Sequence, residues 1–206
     1  MKDFIRVSTA AIALIGFLLL FFNFSNDTMV AFDKWASEMF LGIKEINFFS
    51  LFGDPWFVIM VSLILLVFLF LKKNYRGLIF VLITVAGGAF LNNAIKEYVA
   101  RVRPELPHQL TSYSFPSGHA MISILYLFTV AYFASEYIDD RKKSVVIWIV
   151  ASVLTILIGL SRIAGNHHYG TDVVAGWAIG YFLFMVVVYW YEYLNRSLRK
   201  RSKRYE

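Results

Sequence analysis

Long apolar blocks alternate with short polar stretches along the whole chain. A helix needs about 17 to 25 mostly apolar residues to cross a bilayer. Six blocks reach or approach that length: about 8 to 24, 56 to 71, 77 to 95, 119 to 136, 144 to 161 and 172 to 194. The second is short and could begin a few residues earlier. The pattern predicts an all-α membrane protein, a six-transmembrane-helix bundle in which residues 1–206 form one integral-membrane domain. The first span carries Lys2 and Arg6 ahead of its apolar run, as a signal peptide would, but FNFSNDTMVAF offers no small-x-small cleavage site. It is therefore expected to be retained.

Between the first two spans, residues 25–55 are too long for a plain turn. They mix Phe32, Trp35, Met39 and Phe40 with Asp33, Lys34 and Glu38. The spacing of the apolar residues predicts an amphipathic helix lying in the membrane interface. Two roles stand open for it: lining a lateral entry for lipid, or covering the bundle. Gly176 and Gly180, one turn apart in the last span, are expected to allow close helix contact.

Composition agrees with the pattern. The chain is 59% hydrophobic and 18% aromatic, with a mean hydropathy of +0.62, outside the range of a soluble domain. With no cysteine, disulfides, thiolate metal sites and thiol nucleophiles are excluded. The net charge of +6 raises nucleic acid as a partner, but six basic residues fall in the last eleven, directly after a span. A basic tail at about 195–206 reads as an anchor at the cytoplasmic leaflet, and no base-reading motif supports nucleic acid.

Charge also orients the bundle. The N-terminus, the segments Lys72 to Arg76 and Arg141 to Lys143, and the tail hold fourteen basic residues, whereas the opposite face holds six. The basic-rich side, with both termini, is expected to be cytoplasmic. Three polar stretches then face outward: KEYVARVRP (96 to 104), FPSGHA (115 to 120) and SRIAGNHHYGTD (161 to 172). Charged residues at the ends of membrane spans are functional candidates.

Each stretch has a chemical reading and an ordinary one. Lys96 and Arg103 are seven apart and would share a face of a helix that Pro104 ends, pointing a mobile charge and a planar fork at phosphate oxygens. Alternatively both snorkel to headgroups, as Arg101, off that face, is expected to do. Ser117 precedes an apolar run, so the free N–H groups around Gly118 could cradle an anion beside His119, a residue able to protonate a departing oxygen. Alternatively Ser117 is only an N-cap. His168 lies four residues before Asp172, a spacing at which the carboxylate can hold one ring nitrogen and leave the other as nucleophile. Alternatively Asp172 only caps the last helix. His167, five from Asp172, points away. Metal binding by His119, His167, His168 and Asp172 is disfavoured by the neighbouring charges of Lys96, Arg103 and Arg162.

Taken together, the stretches resemble the type 2 phosphatidic acid phosphatases, or lipid phosphate phosphatases, a family that shares its site with vanadium haloperoxidases. The family pattern is Lys, six residues, Arg-Pro; Pro-Ser-Gly-His; and Ser-Arg, five residues, His, three residues, Asp. Every specified position is present: Lys96, Arg103, Pro104; Pro116, Ser117, Gly118, His119; Ser161, Arg162, His168 and Asp172. The resemblance implies that Lys96, Arg103, Arg162 and the Ser117 and Gly118 region bind phosphoryl oxygens. It implies His119 as general acid, His168 as nucleophile and Asp172 as its partner, with no metal or other cofactor. The expected reaction is hydrolysis of a lipid phosphate monoester or pyrophosphate at the outer leaflet through a phosphohistidine. The short, loop-poor chain looks like small bacterial members that convert phosphatidylglycerophosphate to phosphatidylglycerol. Undecaprenyl pyrophosphate, phosphatidic acid and diacylglycerol pyrophosphate also fit the motifs. A membrane transporter has no need of this ordered set.

Overall fold

The computed structural model describes residues 2–105, 111–138 and 140–205, with side chains from residue 3 to residue 195. The six basic side chains of the tail thus lie outside the described residues. Every regular element among the described residues is helical: α1 (Lys2–Asn23), α2 (Asp27–Phe40), α3 (Lys44–Asn47), a 3-10 segment (Phe48–Gly53), α4 (Pro55–Leu71), α5 (Tyr75–Val81), a π segment (Leu82–Gly87), α6 (Gly88–Val99), α7 (Gly118–Tyr137), α8 (Arg141–Ala164) and α9 (Gly170–Tyr205).

Five helical stretches are long and apolar enough to span a bilayer: Asp3–Asn23, Tyr75–Val99, Gly118–Tyr137, Arg141–Ala164 and Gly170–Asn195. The sixth expected span, α4, is joined to the segment Lys44–Gly53 by a 49° bend. Pro55 starts α4 at a position where its missing N–H is not needed, and Asp54 before it is extended. The third span is continuous through α5, the π segment and α6. Thr84 donates to the carbonyls of Phe80 and Val81 at 2.9 and 3.1 Å, within the stretch where the helix widens.

Ile59, Leu63, Ile64 and Val67 of α4, and Val146, Ile149, Val153 and Ile156 of α8, are exposed on the bundle surface. Such apolar outer faces are stable only against hydrocarbon. The centre is α7, which packs against both α8 and α9 and buries Met121, Leu125 and Phe133; α1 packs along α9. A Cβ on Gly176 would lie 2.6 Å from the Ser117 carbonyl, and one on Gly180 2.8 Å from that of Met121. The absence of side chains there lets α9 press against the start of α7, as the sequence predicts.

The amphipathic helix of the first connection is present as α2. Trp35 and Met39 point away from the bundle, and the inward face carries Asp33 and Ala36, both buried. A buried carboxylate needs partners. Asp33 has them: its oxygens accept the Thr171 N–H at 2.7 Å, the Thr171 hydroxyl at 3.0 Å and Arg101 at 2.7 Å.

Candidate active site

All three polar stretches meet at one end of the bundle, together with the bent segment before α4. The first stretch does not continue as a helix to Pro104. Ala100 takes the left-handed conformation (φ 51°) and closes α6, so Arg103 reaches the site from an irregular strand of chain rather than from the face that carries Lys96. Both side chains are nevertheless buried and converge: Lys96 donates to the Tyr113 carbonyl, and Arg103 donates to Ser112 through Nε (2.7 Å to O) and Nη2 (2.9 Å to Oγ).

Arg101 does not snorkel, and this corrects the sequence-based expectation. Its guanidinium bridges Asp33 Oδ2 at 2.7 Å and Asp172 Oδ1 at 2.6 Å, and stacks over Tyr169 and Phe24 at 4.1 and 4.9 Å from their ring centres. Two buried carboxylates recruit it more strongly than headgroups would, and nothing in the linear sequence pairs these charges.

α7 begins at Gly118, just ahead of the apolar run that predicts it. Ser117 is fully buried; its hydroxyl accepts from the Ala120 N–H at 3.5 Å and its own N–H donates to the Asp172 carbonyl at 3.0 Å. It therefore stands behind the cradle, while Gly118 and His119 line it. Asn92 donates to the Pro116 carbonyl at 3.3 Å and lies so close that a Cβ on Gly118 would be 3.1 Å from its Oδ1.

The histidine of the third stretch is held from both sides. His168 is buried, with Nδ1 3.5 Å from Asp172 Oδ2 and 3.4 Å from Ser114 Oγ, and Nε2 3.0 Å from Arg103 Nη1. A guanidinium has only donors, so Nε2 must present its lone pair, which leaves the ring proton on Nδ1, toward the carboxylate. Burial pushes His168 down to about 3, against the opposing pull of Asp172, so the ring is neutral at ordinary pH. Asp172 is fully buried and also accepts from Ser114 Oγ at 2.5 Å and the Tyr169 N–H at 2.9 Å. His168 precedes α9 and pairs with Asp172 across the turn that begins it, not along a helical face.

His119 lies opposite, its Nε2 3.1 Å from Asp54 Oδ1. Arg162 is buried, donates through Nη1 to Ser50 Oγ, and keeps Nε without a protein partner. His167 is half-buried; its backbone carbonyl accepts from Arg103 at 2.7 Å. Burial, with Arg162 and Arg103, lowers its side chain to about 4.

These groups enclose a cavity of about 570 Å³. Lys96, Arg103, Gly118, His119, Arg162 and His168 form its polar end. Val58 and Ile59 of α4, Val85 and Ala86 of the π segment, and Ala89 of α6 form an apolar end. The cavity thus has a cluster of donors at one end and an apolar wall at the other. The apolar wall comes from α4 and the third span rather than from α2.

Asp54, Ser50 and Ser114 escaped the sequence reading, and Arg101 and Asp33 were read without their part in the site. Asp54 could have been found as an acidic residue just before a span-opening proline; the others carry no local signal.

The sequence profile of the PAP2 superfamily matches residues 76–196, which hold every one of the motif positions. The chain belongs to the PAP2 superfamily. Among its relatives, phosphatidylglycerophosphatase B of Bacillus subtilis is 31% identical over 172 residues, 82% of this chain and 81% of that protein. An undecaprenyl-diphosphatase of Sulfolobus acidocaldarius is 28% identical over 141 residues, 65% of this chain and 63% of the relative. The crystal structure of a transmembrane PAP2-type phosphatidylglycerolphosphate phosphatase from Bacillus subtilis superposes with a TM-score of 0.80 at 27% identity, covering 89% of this chain and 96% of that one. The aligned share is larger than residues 76–196, so the shared fold extends beyond the segment that the profile matches.

Proposed function

We propose that this PAP2 protein is a lipid phosphate phosphatase, acting as one catalytic domain over residues 1–206, with His168 as nucleophile. The observation that carries the reading is the placement of His168 Nε2: a neutral ring with its lone pair directed at Arg103, in a cavity with donors at one end and apolar walls at the other.

In the first displacement Nε2 bonds to phosphorus as the bond to the leaving oxygen breaks, and His119 gives that oxygen a proton. Asp172 stabilises the cationic phosphohistidine. In the second displacement His119 takes a proton from water, the water oxygen bonds to phosphorus, and the pair of electrons returns to Nε2 as phosphate departs. Lys96, Arg103, Arg162 and the N–H groups at Gly118 and His119 stabilise the equatorial oxygens, with Ser117 holding that cradle in shape. These cations supply electrostatically what a metal supplies elsewhere.

The basic residues on the opposite face support an extracytoplasmic site. Substrates are lipids whose phosphate enters the polar end while the tail stays between α4 and the third span. Phosphatidylglycerophosphate is the favoured substrate on the overall similarity to the Bacillus subtilis phosphatase in sequence and in fold. Undecaprenyl pyrophosphate is a second reading, supported by the Sulfolobus relative, because the polar end reads phosphate and leaves the tail to the apolar wall. Phosphate release from a panel of lipid phosphates, with chelator present and His168→Ala as blank, tests both the class and the ranking. Strict chelator sensitivity, or turnover by the blank, would overturn the mechanism.

A further inference from the structure

A buried carboxylate holds His168, and the structure provides a second carboxylate for the other histidine. Asp54 occupies the N-cap position of α4 with extended backbone (φ −69°, ψ 143°), where an aspartate ordinarily accepts from the first free N–H groups. Its side chain makes no such bond. It turns instead to His119, with Oδ1 3.1 Å from Nε2. The turn is pinned for this contact: the Tyr126 hydroxyl donates to the Phe52 carbonyl at 2.7 Å, and Arg162 donates to Ser50. A Cβ on Gly53 would fall 2.5 Å from His119 Cδ2 and 2.9 Å from Ile158 Cγ2, so the backbone of the turn lies directly against the imidazole and limits its rotation.

We infer that Asp54 is a positioning residue of the reaction, which fixes the tautomer of His119 and makes Nδ1 the nitrogen that exchanges protons with substrate and water. A carboxylate only accepts, so the proton it binds resides on Nε2. Nδ1 is then the one ring nitrogen left to carry the proton given to the leaving oxygen and, once neutral, to take a proton from water. The site would hold two Asp-His pairs of opposite sense: Asp172 holds Nδ1 and frees Nε2 of His168, while Asp54 holds Nε2 and frees Nδ1 of His119. The negative charge of Asp54 also stabilises the imidazolium that must exist before the first displacement.

This inference rests on the proposed phosphohistidine mechanism, and its test separates the two. Asp54→Asn, His119→Ala and the double variant are compared on phosphatidate, whose leaving alkoxide needs a proton, and on p-nitrophenyl phosphate, whose leaving group departs as a stable anion. Asp54→Asn should lose about 10- to 100-fold in kcat on phosphatidate with little change in KM. On p-nitrophenyl phosphate it should give a burst of nitrophenolate and accumulate phosphoenzyme, because bond cleavage survives while water activation does not. Added to His119→Ala, it should change kcat less than threefold. Equal losses on both substrates without a burst, a full additive loss in the His119→Ala background, or unchanged activity would each overturn the inference. Hydrolysis of both substrates by the wild type and of neither by His168→Ala checks the underlying mechanism independently.

Discussion

Arg103 Nη1 lies 3.0 Å from His168 Nε2 while the same nitrogen donates to the His167 carbonyl at 2.7 Å. One guanidinium thus meets the lone pair of the proposed nucleophile and braces the turn that carries it. In the proposed mechanism a phosphoryl group entering between Arg103 and His168 would take over the fork, turning the contact that orients His168 into a phosphate contact.

Lysine cannot reproduce that geometry, because it keeps the charge but loses the planar fork. Arg103→Lys is expected to lower kcat/KM on a lipid phosphate by about 100-fold, with weaker inhibition by vanadate. Steady-state kinetics with a vanadate titration checks this.

Arg101 faces two carboxylates, and its removal leaves Asp33 and Asp172 buried without their cation. Arg101→Ala should destabilise the folded protein by about 3 kcal/mol and cut activity, although its guanidinium does not line the polar end of the cavity. Thermal unfolding in detergent, beside an exposed control such as Lys34→Ala, measures the difference.

The contact between α9 and the start of α7 depends on Gly176. Gly176→Ala places a methyl 2.6 Å from the Ser117 carbonyl, so α9 must shift and the cradle with it. A loss of about 1 to 3 kcal/mol in stability is expected, together with reduced turnover. Alanine at Gly16, where a Cβ would meet nothing within 4 Å, is the matched control.

The fold was legible where chemistry is local. Apolar blocks set the spans, and Ser117 before a long apolar run marked the start of α7. The motif positions placed Lys96, Arg103, Gly118, His119, Arg162 and His168 around one cavity with Asp172 behind His168. Legibility stopped where a residue's role depends on a partner far away in sequence. Asp33 looked like the wet face of α2 and is buried because Arg101 and Thr171 meet it; Arg101 looked like a headgroup contact for the same reason. Asp54 drew no reading from the sequence, and only the bend before α4 brings it to His119. The helix expected to carry Arg103 ends at Ala100, a left-handed residue that no local rule singles out.

Burial of neutral His168 also makes stability depend on pH. Its folded value of about 3 is below the ordinary value of about 6.5. The unfolded chain therefore binds the proton more readily, and the stability present above about pH 6.5 is lost as pH falls toward 3. Between pH 7 and 4.5 the wild type should lose about 2 kcal/mol more than His168→Asn, seen as a larger fall in melting temperature. The same low value keeps His168 unprotonated, so on the proposed mechanism phosphoenzyme formation should show no loss from its protonation down to about pH 4.

The most direct measurement is the location of the covalent phosphate. Rapid quenching of enzyme with radiolabelled lipid phosphate, followed by peptide mapping under alkaline conditions, should yield an acid-labile, alkali-stable phosphate on His168, absent from His168→Ala and retained in His167→Ala. Label on another residue, or full turnover by His168→Ala, would contradict the account.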